Sequence, residues 1–408
     1  MPFRRDLFLI YSAAAIRAFG VGLLGVLLGV YLSRLGSGAT RIGLVVAIGL
    51  VGATIATAFV AFVGHRHSPR LILCAWALLS SLGGLGLSLF PSSTFLLPLA
   101  FIGMVNGMGT DRSAAFALEQ ALIPNYTSQT MRTWALSWYN VTLDASGAFG
   151  ALAGGAPLLL AKWQNIDLTL AYKYVFLAYT ILQVATALIY SRLTRAEHIA
   201  QFALEDVQGR KISSETRSIV RKLAALFALD SLGGGFLGDA LVTYWFFVRY
   251  GLDEKQLGVL FFVVHLLNAA SHLGAAWLSK RIGLVNTMVF THLPSSVLLI
   301  AVPAAPTATI AIVLFLLRES LVEMDVPTRQ SYVAGIVRHQ ERTYASGVTN
   351  LTRTVAWATA SGAAGAAMQA LGPSAPLILG GSLKITYDLL LYRNFRRLKA
   401  PEECSSMR

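Results

Sequence analysis

Residues 191–222 read SRLTRAEHIAQFALEDVQGRKISSETRSIVRK, the longest polar interruption in an otherwise apolar chain. What lies on either side of it decides the fold. Charged residues make up 13% of the 408 positions and hydrophobic residues 55%, whereas soluble domains carry about 25% charged residues. Apolar runs of twenty residues or so recur along the whole length, each able to cross a hydrocarbon layer about 30 Å thick. Twelve spans follow, at 7–33, 41–64, 71–90, 95–120, 132–161, 170–192, 219–248, 255–279, 284–303, 307–328, 343–370 and 374–393. The expected fold is therefore an all-α membrane protein with six helices on each side of the central polar segment.

The two halves repeat one another. Gly36, Ile42, Gly43 and Arg66 align with Gly251, Leu257, Gly258 and Arg281 at a constant offset of 215. Further on, Gln120, Arg132, Thr133, Ala135 and Asn140 align with Gln330, Arg342, Thr343, Ala345 and Asn350 at an offset of 210. The five-residue change falls between the two runs, where a loop absorbs it. A duplicated six-helix unit predicts two pseudo-symmetric bundles, an architecture used by transporters. The expected organisation is an N-terminal bundle over 1–192, a cytoplasmic loop over 193–218, a C-terminal bundle over 219–393 and a cytoplasmic tail over 394–408.

The formal charge of +13 is not arranged as a nucleic-acid-binding face would be. Most of the 33 Lys and Arg residues fall on the side that holds both termini, the positive-inside pattern, which predicts that both are cytoplasmic. The opening MPFRRDLFLIYSAAAI has the basic start of a signal peptide, yet its apolar stretch continues to about Leu32. It is better read as the first span. Cys74 falls within span 3 and Cys404 in the tail, so the two are expected in different compartments and predict neither a disulfide framework nor a thiolate metal site. No G-x-S-x-G, phosphate-binding loop or H-E-x-x-H arrangement points to an enzyme, a cofactor or an ATP-driven pump.

Two short motifs add a resemblance. GHRHSPR (64–70) sits between spans 2 and 3, and SKRIG (279–283) is its second-half counterpart. SGAFGALAGGAP (146–157) lies in span 5. The architecture and these motifs are similar to those of the major facilitator superfamily, over essentially the whole chain. The family's loop reads approximately G-x-x-x-D-R-x-G-R-R; here the leading Gly and the basic character are kept and the acidic residue is missing. Gly150, Ala151, Gly154 and Gly155 match the spacing of the family's antiporter motif G-P-x-x-G-G, with Ala in place of Pro. The likeness extends to bacterial exporters of drugs and metabolites, which implies residence in the cell inner membrane.

Ionisable side chains at bilayer depth are costly unless they face water or a partner, so each is a candidate functional group. Arg17, Asp111, Arg112, Asp144, Asp230, Asp239, Arg318 and Glu319 all fall well inside apolar spans. Most belong to spans 1, 4, 7 and 10, which line the central cavity in the resembling family. Adjacent residues on a helix point about 100° apart, so Asp111 and Arg112 do not readily pair with each other. The sequence reading sets Arg112 against Asp239 or Glu319, and Asp111 against Arg17 or Arg318. Arg17, Arg112 and Arg318 are candidate substrate-binding cations, with Asn140, Tyr244, Trp245 and Asn350 supplying hydrogen bonds or stacking surface. Asp111, Asp239, Asp230 and Glu319 are candidate proton-coupling carboxylates, since burial and a nearby arginine move a carboxylate's affinity for protons in opposite directions.

Gating groups are expected at the helix ends. Glu119 and Arg132 bracket the junction of spans 4 and 5, in EQALIP and beyond, and look similar to a charge cluster of the family. Arg338, Glu341 and Arg342 follow EMDVPTRQ (323–330) in the second half, and Arg66 and Arg281 stand in the repeated loops. Lys384 and Asp388, four residues apart in span 12, are expected to satisfy each other. His265 and His272 share one face of span 8 and read as packing residues. Gly147, Gly150, Gly154 and Gly155 permit close helix contact.

The function so implied is alternating-access secondary transport, with a proton gradient driving efflux of a small organic anion, zwitterion or drug-like molecule. The alternatives are a proton symporter or uniporter importing a small metabolite, and a receptor or assembly subunit that has lost transport. Expected partners are the substrate, protons and the lipid bilayer, with no nucleic acid, no metal and a monomeric chain.

Overall fold

The computed structural model describes residues 2–63, 67–91, 94–109, 114–126, 132–194, 213–337 and 341–398. These residues are helical with no strand among them. The first half contains α1 (Pro2–Arg34), α2 (Ala39–Val63), α3 (Pro69–Leu89), α4 (Leu96–Gly103), α5 (Ala114–Leu122), α6 (Arg132–Leu152), α7 (Ala156–Gln164) and α8 (Leu168–Tyr190). The second contains α9 (Ser214–Gly235), α10 (Asp239–Tyr250), α11 (Glu254–Ile282), α12 (Leu284–Ala301), α13 (Ala308–Val322), α14 (Asp325–Ile336), α15 (Arg342–Leu371) and α16 (Ala375–Phe395).

All twelve expected spans are present in the expected order. Among the described residues, eight helical segments are long and apolar enough to cross a membrane by themselves. Spans 4 and 10 are each divided, into α4 with α5 and α13 with α14, so neither half meets the length of a full crossing. Spans 11 and 12 carry Arg353, Lys384 and Asp388, which lower their hydropathy.

Helix ends follow local rules. Asp167 precedes α8 and its carboxylate accepts from Thr169 N at 2.8 Å. Hydrogen bonds from the Thr169 side chain and then its amide hold the Asp167 carboxyl below the usual carboxylate range. Ser213 caps α9 and Thr307 caps α13 in the same way, each accepting from an amide three residues on. Gly251 ends α10 at a φ of +69°, a conformation that costs glycine little.

The chain divides into two compact units. One holds the described residues of Met1–Gln208 together with Gly238–Phe262; the other holds the described residues of Gly209–Leu237 and of Val263–Arg408. Residues 238–262 join the N-terminal helices because α10 lies along α1. Gly29 of α1 is what permits this, since a Cβ there would fall on the carbonyl oxygen of Ala240.

Each unit has its own core. In the first, Ile10, Ala14, Leu73, Tyr139 and Tyr190 are buried together from α1, α3, α6 and α8. In the second, Leu223, Phe227, Met288, Tyr332 and Tyr387 bring α9, α12, α14 and α16 together.

Candidate functional site

The expected fourth span does not run through. α4 ends at Gly103, Met104 turns to a φ of +54°, and Gly107 and Gly109 take φ values of +58° and +76°. The stretch between is NGMG (106–109), with two glycines where positive φ is required. Non-helical backbone at membrane depth needs partners for its polar groups, and it has them. Asn106 donates to Met104 O at 3.0 Å and accepts from Met108 N at 3.0 Å. Gly107 O accepts from Ala240 N at 2.9 Å, in the first turn of α10.

Asp239, the first residue of α10, packs its carboxylate against this broken segment. A Cβ on Gly109 would fall on Asp239 Oδ2, and one on Gly25 of α1 would lie 3.1 Å from the same oxygen. Glycines at 25 and 109 therefore make room for the carboxylate. Discontinuous helices form substrate and ion sites in several transporter folds. Asp111 and Arg112 follow directly in sequence and lie outside the described residues, as does Arg66.

Arg17 has a partner that the charge pattern did not name, while Asp111, set against it by the sequence, lies outside the described residues. Its guanidinium donates to Glu119 Oε2 at 2.5 Å and to the hydroxyls of Tyr190 and, at 3.5 Å, Tyr139. Tyr139 and Tyr190 donate in turn to Glu119 at 2.7 and 2.6 Å. Arg17 is 7% exposed and Glu119 is fully buried. This cluster ties α1, α5, α6 and α8 together in the core of the first unit. Glu119 was expected at the span 4–5 junction beside Arg132; its carboxylate instead points inward to α1. Arg132 and Arg342 begin α6 and α15.

A second buried carboxylate sits at the far end of α1. Glu254, the first residue of α11, is fully buried and accepts from Arg34 Nη2 at 2.9 Å, from Arg34 Nε and from the Tyr172 hydroxyl. Tyr31 stacks on Tyr172 at 4.6 Å, and the Arg34 guanidinium lies 5.1 Å over the Phe247 ring. The Arg34–Glu254 pair thus latches the start of α11 to α1 and α8. Sequence reading missed it because both residues stand at span ends, where charges are common. Tyr172→Phe removes one of three donors to a buried carboxylate and is expected to cost about 2 kcal/mol. Thermal unfolding in detergent measures it, and an unchanged transition temperature would remove the latch.

The second unit concentrates its charges in one network. Asp230 of α9 accepts from Lys384 Nζ at 2.9 Å and from Arg329 Nη1 at 3.2 Å; Arg329 also donates to Asp325 at 2.7 Å. Asp388 contacts His292 Nδ1 at 3.0 Å. The expectation that Lys384 and Asp388 satisfy each other is corrected here. Neighbouring helices offer better geometry than the i, i+4 spacing, so Lys384 bonds to α9 and Asp388 to α12.

The remaining candidates are scattered. Arg318 pairs with adjacent Glu319, not across a cavity, and both are buried. Asn140 and Asn350 are exposed, and Tyr244 is half-buried on α10. Trp245 has no exposed surface, packed edge-on against Phe246 and Tyr250. Arg281 lies 4.2 Å over the Trp277 ring. His265 is buried and His272 half-buried. Glu341 accepts from Ser213 N and Thr216 Oγ1, both at 2.6 Å, holding the start of α9. A carboxylate is favoured at that helix end. Arg338 lies outside the described residues.

The comparisons with known proteins agree with this architecture. An uncharacterised membrane protein of Saccharomyces cerevisiae, YJR124C, is 25% identical over 417 residues, covering 95% of this chain and 93% of its own. The inward-open xylose transporter XylE from E. coli superimposes with a TM-score of 0.72 at 14% identity, covering 98% of this chain and 99% of that one. The nucleoside transporter NupG does so with 0.70 at 12% identity, covering 97% and 99%. At such identities the likeness is one of fold. A family model, that of the Major Facilitator Superfamily, matches residues 10–361. With most of its length so matched, and with twelve spans in two repeated halves, the chain belongs to the Major Facilitator Superfamily of membrane transporters.

Proposed function

We propose that this transporter works by alternating access and exchanges protons for a small organic anion, zwitterion or drug-like molecule, which it exports. The observation that carries this reading is the Asp239 carboxylate seated against the broken backbone of span 4, with Gly25 and Gly109 leaving space for it. A carboxylate there binds a proton or a cationic group of a solute in turn, the elementary requirement of exchange. Asp111 and Arg112 keep the roles suggested by the sequence, as second carboxylate and anion-binding cation. Buried Asp230 and Glu319 remain further proton-carrying candidates. The helix-packing glycines of span 5 support the exporter reading through their likeness to the antiporter motif. In this proposal the chain acts as a monomer in the cell inner membrane, both termini cytoplasmic.

The test uses proteoliposomes at zero membrane potential with radiolabelled benzoate, alanine and norfloxacin: an anion, a zwitterion and a drug-like molecule. One pH unit sustains about tenfold accumulation per proton exchanged. An acidic lumen is expected to drive accumulation of at least one of them, and Asp239→Asn to abolish it. Accumulation driven by acid outside would establish symport in its place.

A further inference from the structure

His292 was not singled out by the charge pattern of the sequence, yet it stands at the centre of the second unit's charges. It is 1% exposed. Its Nδ1 lies 3.0 Å from both oxygens of Asp388, and its Nε2 lies 3.2 Å from Lys384 Nζ and 3.7 Å from Asp230 Oδ1. The Tyr387 ring meets it edge-on at 5.9 Å.

These contacts assign the tautomer. A carboxylate only accepts, so Nδ1 carries the hydrogen and donates to Asp388. A lysine ammonium only donates, so Nε2 presents a lone pair to Lys384. The imidazole is neutral in this arrangement, and it is the side chain whose ordinary titration falls between pH 5 and 8. Around it stand the buried carboxylates Asp230, Asp325 and Asp388 and the buried cations Arg329 and Lys384. From α15, half-buried Arg353 bonds to Ser231 Oγ at 3.1 Å, and on α13 Arg318 and Glu319 pair with each other.

We propose that His292 is a proton-binding site whose occupancy switches the Lys384 staple; this rests on the proton-coupled reading above. A proton entering from water forms a new N–H bond at Nε2. Nε2 then becomes a donor and cannot face the lysine ammonium. Its acceptor is Asp230 Oδ1, and Lys384 is displaced from its place between the two. On release the Nε2–H bond breaks, the lone pair returns, and Lys384 closes again on His292 and Asp230. The switch acts at the crossing of α9 and α16, where Gly233 and Gly380 pack so closely that a Cβ on either would lie 2.9 Å from the other's carbonyl oxygen. Proton binding therefore bears directly on how two helices of the second unit are stapled, which a static ion-pair scaffold would not do.

The test needs no substrate. Full-length protein in proteoliposomes on a solid-supported membrane is jumped from pH 8 to pH 6 with protons as the only probe. The native protein is expected to give a transient charge displacement, reduced at least about fivefold in His292→Gln, whose amide fills the site without titrating. Asp388→Asn removes the anion beside Nδ1 and is expected to move the pH midpoint of the displacement down by about one unit. A native displacement that His292→Gln leaves unchanged overturns the assignment while leaving proton coupling standing. If His292→Gln does not fold, an unmoved midpoint in Asp388→Asn overturns it equally. No displacement in the native protein overturns both this inference and the proton-coupled reading.

Discussion

Replacing Arg17 by methionine is expected to destabilise the protein by about 3–5 kcal/mol, the cost of leaving a buried charge without its partner. Glu119 is fully buried, and Arg17 at 2.5 Å provides its countercharge. The Tyr139 and Tyr190 hydroxyls at 2.7 and 2.6 Å would remain as donors, but two neutral hydrogen bonds do not replace a cation in a low-dielectric core. Methionine keeps the length and apolar stem of the side chain, so little of the loss is cavity formation. Thermal unfolding in detergent reads the effect directly. The double variant Arg17→Met with Glu119→Gln is expected to recover most of the loss, because an apolar side chain beside a neutral amide removes the stranded charge. A single variant that unfolds at the native temperature but no longer binds solute would show that Arg17 serves the substrate. That was the role suggested by its place in span 1.

The Arg17 cluster also shows where sequence reading stops. Hydropathy fixed the number and order of the spans, since burial of apolar length is a one-dimensional property. The charges inside the spans were equally visible. Their partners were not, because pairing depends on which helix faces bring side chains together. Arg17 found Glu119, counted as a gating residue at a span end; Lys384 found Asp230 on another helix in place of Asp388 on its own. The break in span 4 did leave a signal. Asn106, Gly107 and Gly109 form a turn-like cluster, but the apolar residues around them carried the helical reading through. His292 was legible too, as an ionisable group in the middle of an apolar span. His265 and His272 stand out as a pair sharing one helix face, whereas His292 is alone in its span and its partners lie on other helices.

Substitution at Gly22 or Gly150 is the second large effect, and its pattern is more diagnostic than its size. A Cβ on Gly22 of α1 would fall on the Gly147 carbonyl oxygen of α6, and one on Gly150 of α6 on the Phe19 carbonyl oxygen of α1. Both obstacles are backbone, which cannot rotate away as a side chain would. Isoleucine at either position must push α1 and α6 apart along their length, and overpacking of this kind costs about 1–3 kcal/mol or more. We place Gly150→Ile above the middle of that range, since small residues are what allow close helix contact in a membrane. Gly147 belongs to the same glycine run, yet a Cβ there meets only the Ala18 carbonyl oxygen at 3.8 Å. That is ordinary van der Waals separation, so Gly147→Ala is expected to unfold within a few degrees of the native protein. Gly154 is intermediate: its Cβ would lie 2.6 Å from a Val26 methyl, which can shift at some cost. Transition temperatures of the four variants should therefore rank with Gly147→Ala highest, Gly154→Ala next, and Gly22→Ile and Gly150→Ile lowest. Equal losses at Gly147 and Gly150 would mean that the run is required for helix flexibility rather than for contact, and the α1–α6 crossing would lose its explanation.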